Sequence, residues 1–118
     1  MTYDKNNIFA KILRGEIPCK KIYENDYVLS FHDINPQKKI HALVIPKGEY
    51  IDLDDFNKNA SDKEIAELNK AISHVSNLLG VSEKGYRILS NIGSDGGQEV
   101  PHLHYHIFAG EKVGKMVN

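Results

Sequence analysis

The segment His102-Leu103-His104-Tyr105-His106-Ile107-Phe108 constrains this chain more than any other stretch. Three of the six histidines fall here on alternate positions, separated by Leu, Tyr and Ile. Alternation is the strand period, and on a strand the imidazoles share one face, each roughly 6.6 Å from the next. Leu103, Tyr105 and Ile107 would then point the other way, into a core. A helix would set successive histidines about 200° apart and scatter them around its surface. The segment is therefore predicted to be a strand. One histidine on such a face is ordinary, but three concentrate acid–base groups that a structural strand does not need.

The residues upstream add to this reading. Asn91-Ile92-Gly93-Ser94-Asp95-Gly96-Gly97-Gln98-Glu99-Val100-Pro101 is rich in glycine, so its backbone N–H groups can approach an oxyanion with no Cβ in the way. Pro101 has no N–H for a ladder, which suits the first residue of a strand. Loop and imidazole face together predict a phosphate pocket. Two further blocks stand out: Phe31-His32-Asp33-Ile34-Asn35-Pro36-Gln37 with His41-Ala42-Leu43-Val44-Ile45-Pro46-Lys47, and Ile8-Phe9-Ala10-Lys11-Ile12 with Gly15-Glu16-Ile17-Pro18.

In these three ordered blocks the chain resembles the histidine triad (HIT) family, whose signature is His-Φ-His-Φ-His-Φ-Φ with Φ apolar. The likeness spans nearly the whole chain and is nearest to the Hint branch, the purine nucleoside phosphoramidases. It implies an α+β fold: a HIT-like antiparallel sheet of about five strands, one short N-terminal helix and one long central helix, in a homodimer. It implies a hydrolase that cleaves the P–N bond of AMP–amine phosphoramidates through a nucleotidyl-histidine. His104 would be the nucleophile, with His102, His106 and His41 in support. The nucleotide would be held by Ile8, Phe9, Ile12, Phe31, His32, Asp33, Ile34, Asn91, Gly97, Gln98 and Glu99, with Asp33 accepting from the ribose hydroxyls. No metal and no cofactor are implied. Besides Tyr105, which stands where an aliphatic residue or Phe is usual, three features depart from the pattern. Glu99 stands where many eukaryotic Hint members have Ser. Asn7 and Ala10 replace the Cys-x-x-Cys of many bacterial members, so a structural zinc is not expected. The tail, Lys115 to Asn118, lacks a Trp found in eukaryotic members.

Composition narrows the field further. At 118 residues the chain is expected to be one domain, 1–118, able to bury its own core. A net charge of −1 gives no basic field for nucleic acid. No stretch reads as a signal peptide or membrane span, and a single Cys19 allows no internal disulfide, which fits the cytoplasm. A short amphipathic helix is predicted at Ile8, Phe9, Ile12 and Leu13, ended by Gly15. Strands follow at 21–24 and 27–32, turned by Asn25-Asp26, then at 40–45 and 86–91. Ser61-Asp62-Lys63-Glu64 is a capping box opening the long helix, whose apolar stripe is Ile65, Leu68, Ile72, Val75 and Leu79 before Gly80. Asp52 to Phe56 reads as one helical turn or an acidic loop, without the spacing of a calcium loop.

Rival readings remain. His-x-His pairs on strands also bind zinc, though no carboxylate or cysteine is placed in sequence as a further ligand. A non-catalytic nucleotide sensor would keep the same fold. Within the family, dinucleoside polyphosphate hydrolysis uses the same chemistry.

Overall fold

In a computed structural model, which describes residues 2–116, the chain runs α1 (Ile8–Leu13), β1 (Lys21–Glu24), β2 (Val28–His32), β3 (Ile40–Pro46), α2 (Leu53–Asn59), α3 (Asp62–Leu78), β4 (Arg87–Leu89) and β5 (Tyr105–Ala109). Met1, Val117 and Asn118, and with them the end of the tail, lie outside the described residues. The strands form one five-stranded antiparallel sheet in the order β1-β2-β3-β5-β4. This is the α+β architecture expected from the sequence, with a further helix, α2.

Each helix begins and ends where its side chains permit. Asn7 caps α1, its side chain accepting from the Ala10 N–H at 2.9 Å. Gly15, at φ 78°, lets the chain turn out so that the Glu16 N–H reaches the Lys11 carbonyl. The acidic stretch read as turn or loop is the start of α2: Asp52 caps it, and Asp54 and Asp55 sit in its first turn, where backbone N–H groups favour negative charge. The capping box at Ser61 is formed in both directions, Ser61 with the Glu64 N–H and Glu64 with the Ser61 N–H. Gly80 closes α3 with the same left-handed turn as Gly15.

The sheet divides two cores by the strand period. Val28, Ala42, Val44 and Ile107 face α3 and meet Phe56, Leu68, Ala71, Ile72, Val75 and Leu103. Leu29, Phe31, Leu43 and Ile45 point to the opposite face and are covered by Phe9 of α1. On that second face the register sets Leu43 opposite His106 and His41 opposite Phe108. The histidines thus lie on the face that α1 covers only in part.

The histidine segment is strand for only part of its length. β5 begins at Tyr105, so His102, Leu103 and His104 precede the ladder. Continuing the register would bring Leu103 opposite Pro46, which has no N–H to donate. The Leu103 N–H bonds instead to the Tyr50 carbonyl at 2.8 Å. The strand expected at 86–91 shortens likewise to Arg87–Leu89, the three residues that pair with Phe108, Ile107 and His106 of β5.

Leu68 is 2 % exposed on the α3 side, so Leu68→Ala removes buried methyl groups and leaves a cavity, costing about 2–5 kcal/mol. Ser61→Ala loses one arm of the capping box and should cost about 1 kcal/mol. Chemical denaturation of both variants, with the larger loss in Leu68→Ala, checks this division between packing and capping.

Candidate active site

Among the described residues, every buried side-chain nitrogen and oxygen has a hydrogen-bond partner, and these partners settle which histidine nitrogen carries the proton. A carbonyl only accepts and a backbone N–H only donates. His104 Nδ1 lies 2.7 Å from the His102 carbonyl, so it donates, and its Nε2 keeps the free lone pair. His41 Nδ1 accepts the Gln37 N–H at 3.0 Å. His41 is therefore neutral with its proton on Nε2, which faces His106 Nδ1 at 2.8 Å. That leaves neutral His106 with its proton on Nε2. The rings of His104 and His106 are 5.0 Å apart between centroids. Side by side, then, stand one imidazole with an available lone pair and one with an available N–H.

Burial keeps all of them neutral. Desolvation pulls His104 below the ordinary histidine value, against the pull of the His102 carbonyl and, more weakly, of Asp33 and Glu99. His106 is lowered to about 4 by burial first, then by His104 and His41. His41 is lowered by burial, with Asp33 opposing. His102 is lowered to about 4, again chiefly by burial. Aromatic rings stand against two of them: Phe9 sits edge-on to His104 at 4.9 Å, and Phe108 lies parallel to His106 at 5.6 Å.

His102 stands apart from this pair. It is 0 % exposed, and both ring nitrogens are engaged, Nε2 with the Pro46 carbonyl at 2.9 Å and Nδ1 with the Tyr3 hydroxyl at 2.5 Å. The alternation expected from the sequence is kept, with Phe9 against both His102 and His104 while Leu103, Tyr105 and Ile107 join the α3-side core, but only His106 of the three lies on the paired strand, which is a correction to the expected strand. No open ring nitrogen remains on His102 to meet a phosphate.

The other predicted residues separate into groups. Asp33 joins the histidines, with Oδ2 3.3 Å from His41 Nε2, while its Oδ1 accepts the Asn35 N–H at 2.8 Å and closes the turn. Phe9 and Phe31 are core residues, T-shaped to one another at 5.7 Å, and Ile12 packs against the same cluster. Ile8 and Ile34 are outside the core, 44 % and 88 % exposed. His32 is exposed at the end of β2, Glu99 and Gly97 are exposed, and Asn91 is half-buried. Gln98 is turned inward as a clamp: its Oε1 accepts the Gly93 N–H, and its Nε2 donates to the Ile51 and Val100 carbonyls. Gly96 belongs to the same tight loop, where a Cβ would come within 2.3 Å of the Ile92 oxygen.

Several participants were not predicted. Gln37 supplies the N–H that sets His41, Pro46 the carbonyl that sets His102, and Ser90 a hydroxyl that donates to the His104 carbonyl at 2.8 Å. Tyr3 carries no sequence signal, being 99 positions from its partner. A carboxylate also stands where sequence placed none. Ligand atoms of Asp33, His41 and His106 lie within 4.8 Å of one another, a set that could hold a divalent ion. His41 Nε2–H and His106 Nδ1 already satisfy each other there, so a metal would have to displace that proton.

The HIT domain pattern matches residues 14–113, and the chain belongs to the HIT family. It is 60 % identical over 116 residues to a 13.2 kDa HIT-like protein of Azospirillum brasilense, covering 98 % of this chain and 95 % of that one. Among solved structures, a HIT family hydrolase from Clostridium thermocellum superposes with a TM-score of 0.88 at 36 % identity, covering 98 % of this chain and 99 % of that one. A histidine triad nucleotide-binding protein from Candida albicans superposes at 0.79 and 30 % identity, covering 96 % and 85 %.

The lowered histidines link stability to acidity. Their folded values lie below 6.5, so the unfolded chain binds more protons as the pH falls. Stability should be whole above about pH 6.5 and decline as the pH drops toward about 4, with His102 alone accounting for about 3 kcal/mol. Thermal unfolding midpoints measured across that window check this; a flat profile would contradict neutral, buried imidazoles.

Proposed function

We propose that this chain is a nucleotide hydrolase of the Hint branch, one HIT domain over 1–118, that cleaves the P–N bond of purine nucleoside 5′-phosphoramidates. The observation that carries the reading is the pairing of His104, with a free Nε2 lone pair, and His106, with a free Nε2–H, at 5.0 Å. The lone pair of His104 attacks phosphorus and forms a nucleotidyl-histidine as the P–N bond breaks. The Nδ1–H bond to the His102 carbonyl disperses the positive charge that develops on the ring. His106 Nε2–H donates to the phosphoryl oxygens or the departing nitrogen, braced from behind by His41. Water then attacks phosphorus in the nucleotidyl-histidine, the bond from phosphorus to His104 Nε2 breaks, and the imidazole leaves with its lone pair restored. Overall, one water supplies the proton that leaves with the amine and the hydroxyl that stays with the nucleotide.

Recognition of the nucleotide falls to the rim of this pair. Asp33 uses one oxygen in its turn and keeps lone pairs for vicinal ribose hydroxyls. Ile8 and Ile34, apolar yet exposed, offer surfaces for a purine, whereas Phe9 and Phe31 form the floor beneath. The glycine loop, held in shape by Gln98, lies against the phosphate side. The names of the Clostridium hydrolase and the Candida nucleotide-binding protein support the same class. Homodimerisation and a cytoplasmic setting belong to this proposal too: Ile88 is 45 % exposed on the edge strand β4, a surface that a second subunit would cover. Among the described residues no helix is long and apolar enough to cross a membrane.

Steady-state kinetics on an AMP–amine phosphoramidate beside a dinucleoside polyphosphate test the reading directly; preference for the second would move the chain to the other branch. His104→Ala should lose several orders of magnitude in turnover while AMP still binds. His106→Ala should lose roughly 10²–10³, as for one transition-state donor. Activity should survive exhaustive chelation, and a loss restored by Zn²⁺ would shift the reading to the Asp33, His41, His106 set.

Asp33 gives a separate test. A hydrogen bond to a charged group contributes roughly 1.5–3 kcal/mol, or about ten- to a hundredfold in kcat/KM. The wild type should prefer a ribonucleotide substrate over its deoxy analogue, and Asp33→Ala should erase that preference. An unchanged ratio would mean that Asp33 serves the turn and His41 instead of the sugar.

A further inference from the structure

We propose that Tyr3 is a positioning residue for the nucleophile, acting through His102. The proposal rests on the reading of His104 as nucleophile. Tyr3 lies on the arm that precedes α1, and its hydroxyl is 2.5 Å from His102 Nδ1. The two rings meet edge to face at 5.6 Å and 72°. Because His102 Nε2–H donates to the Pro46 carbonyl, Nδ1 is the lone pair and the tyrosine hydroxyl is its donor. Tyr3 thereby fixes one tautomer and one orientation of a ring that no solvent reaches.

That orientation matters because His102 serves the site through its backbone. Its carbonyl holds His104 Nδ1–H at 2.7 Å, which aims Nε2 outward and keeps the lone pair there. The peptide bearing this carbonyl lies outside the β ladder, so strand pairing does not hold it. It is held on one side by Leu103, whose N–H bonds to Tyr50 and whose side chain is 1 % exposed. On the other side it is held by the His102 ring, pinned between Pro46 and Tyr3. Without the hydroxyl, Nδ1 is a buried acceptor with no partner. The ring must then rotate, admit water or change tautomer, and the last of these sets two lone pairs against each other at Pro46.

The arm is built to deliver this contact. The Asp4 carbonyl accepts the Asn7 side-chain N–H at 2.8 Å, and the Asp4 carboxylate accepts the Asn6 N–H at 2.9 Å. The Lys5 carbonyl accepts from Arg14 at 2.8 Å. These bonds tie residues 4–7 to α1, which also carries Phe9 against His104. The arm and the wall of the nucleophile are one unit.

Tyr3→Phe in the full chain tests the assignment, since it removes only the hydroxyl. Single-turnover release of amine should slow by roughly tenfold, the scale of one misplaced hydrogen bond, while the Kd for AMP stays within about twofold. Nitrogen-15 spectra of the histidine rings give a second readout that needs no activity. His102 Nδ1 should lose its hydrogen-bonded shift, and His104 should become a mixture of tautomers. Leu68→Ala, destabilised on the far face of the sheet, should keep both the wild-type tautomers and the wild-type single-turnover rate. Unchanged His102 and His104 signals in Tyr3→Phe would overturn the proposal, as would the same tautomer mixing in Leu68→Ala. If the wild type proves inactive on phosphoramidates while the ring signals respond as expected, the substrate reading fails and the positioning of His104 by Tyr3 stands.

Discussion

The pairing of β3 with β5 is the interaction on which the rest depends. It joins segments more than sixty positions apart in one register, Leu43 opposite His106 and Ala42 opposite Ile107. That register does two things together. It turns Ala42, Val44 and Ile107 toward α3, where they fill the larger core. It also brings His41 beside His106, close enough for a 2.8 Å hydrogen bond. A slip of one residue would exchange the faces, burying the imidazoles under α3 and exposing Ile107. The stability of the core therefore enforces the geometry of the site, and selection of one register needs no separate device.

Burial then determines the chemistry of the histidines. In water an imidazole near neutral pH divides between protonated and neutral forms and between two tautomers. Here desolvation removes the charged form, and fixed partners remove the wrong tautomer. The Gln37 N–H, the His102 carbonyl and the Pro46 carbonyl are all backbone groups, so their polarity cannot change. The outcome is a neutral donor and a neutral acceptor facing the same space. Differentiation of chemically identical side chains starts from these backbone groups and passes to His106 through the His41 ring.

The same backbone logic explains the departure from a continuous strand. A ladder running from His102 to Phe108 would tie up the backbone of His102 and His104 in pairing. Ending the ladder at Tyr105 frees the His102 carbonyl for His104 and the His104 carbonyl for Ser90. Pro46 both stops the pairing and offers its carbonyl to His102. The loop before it is kept compact by Gln98, whose amide is spent on three backbone groups. Gln98 thus serves as scaffold for the loop that the proposed function sets on the phosphate side.

Much of this was legible from local patterns. The capping box at Ser61 and the stripe from Ile65 to Leu79 marked α3, the apolar run from Ile40 marked the central strand, and the alternating histidines marked the site. Such features depend on period and on caps, which act over a few residues, and a chain carries them wherever it folds. Other features were not legible. The extra turns of α2, the late start of β5, the inward Gln98 and the exposed Ile34 follow from what each residue meets across the fold. Asp33 gave the clearest division. Its turn with Asn35 is local and was foreseeable, while its approach to His41 arises only when β2 pairs with β3. The sequence by itself determined which residues are imidazoles, how they are spaced and which elements carry them. For His102 and His106 the tertiary structure alone decided which ring nitrogens are free, because their partners lie 56, 65 and 99 positions away. A buried imidazole takes its tautomer from those partners, and no local pattern encodes groups that meet only on folding.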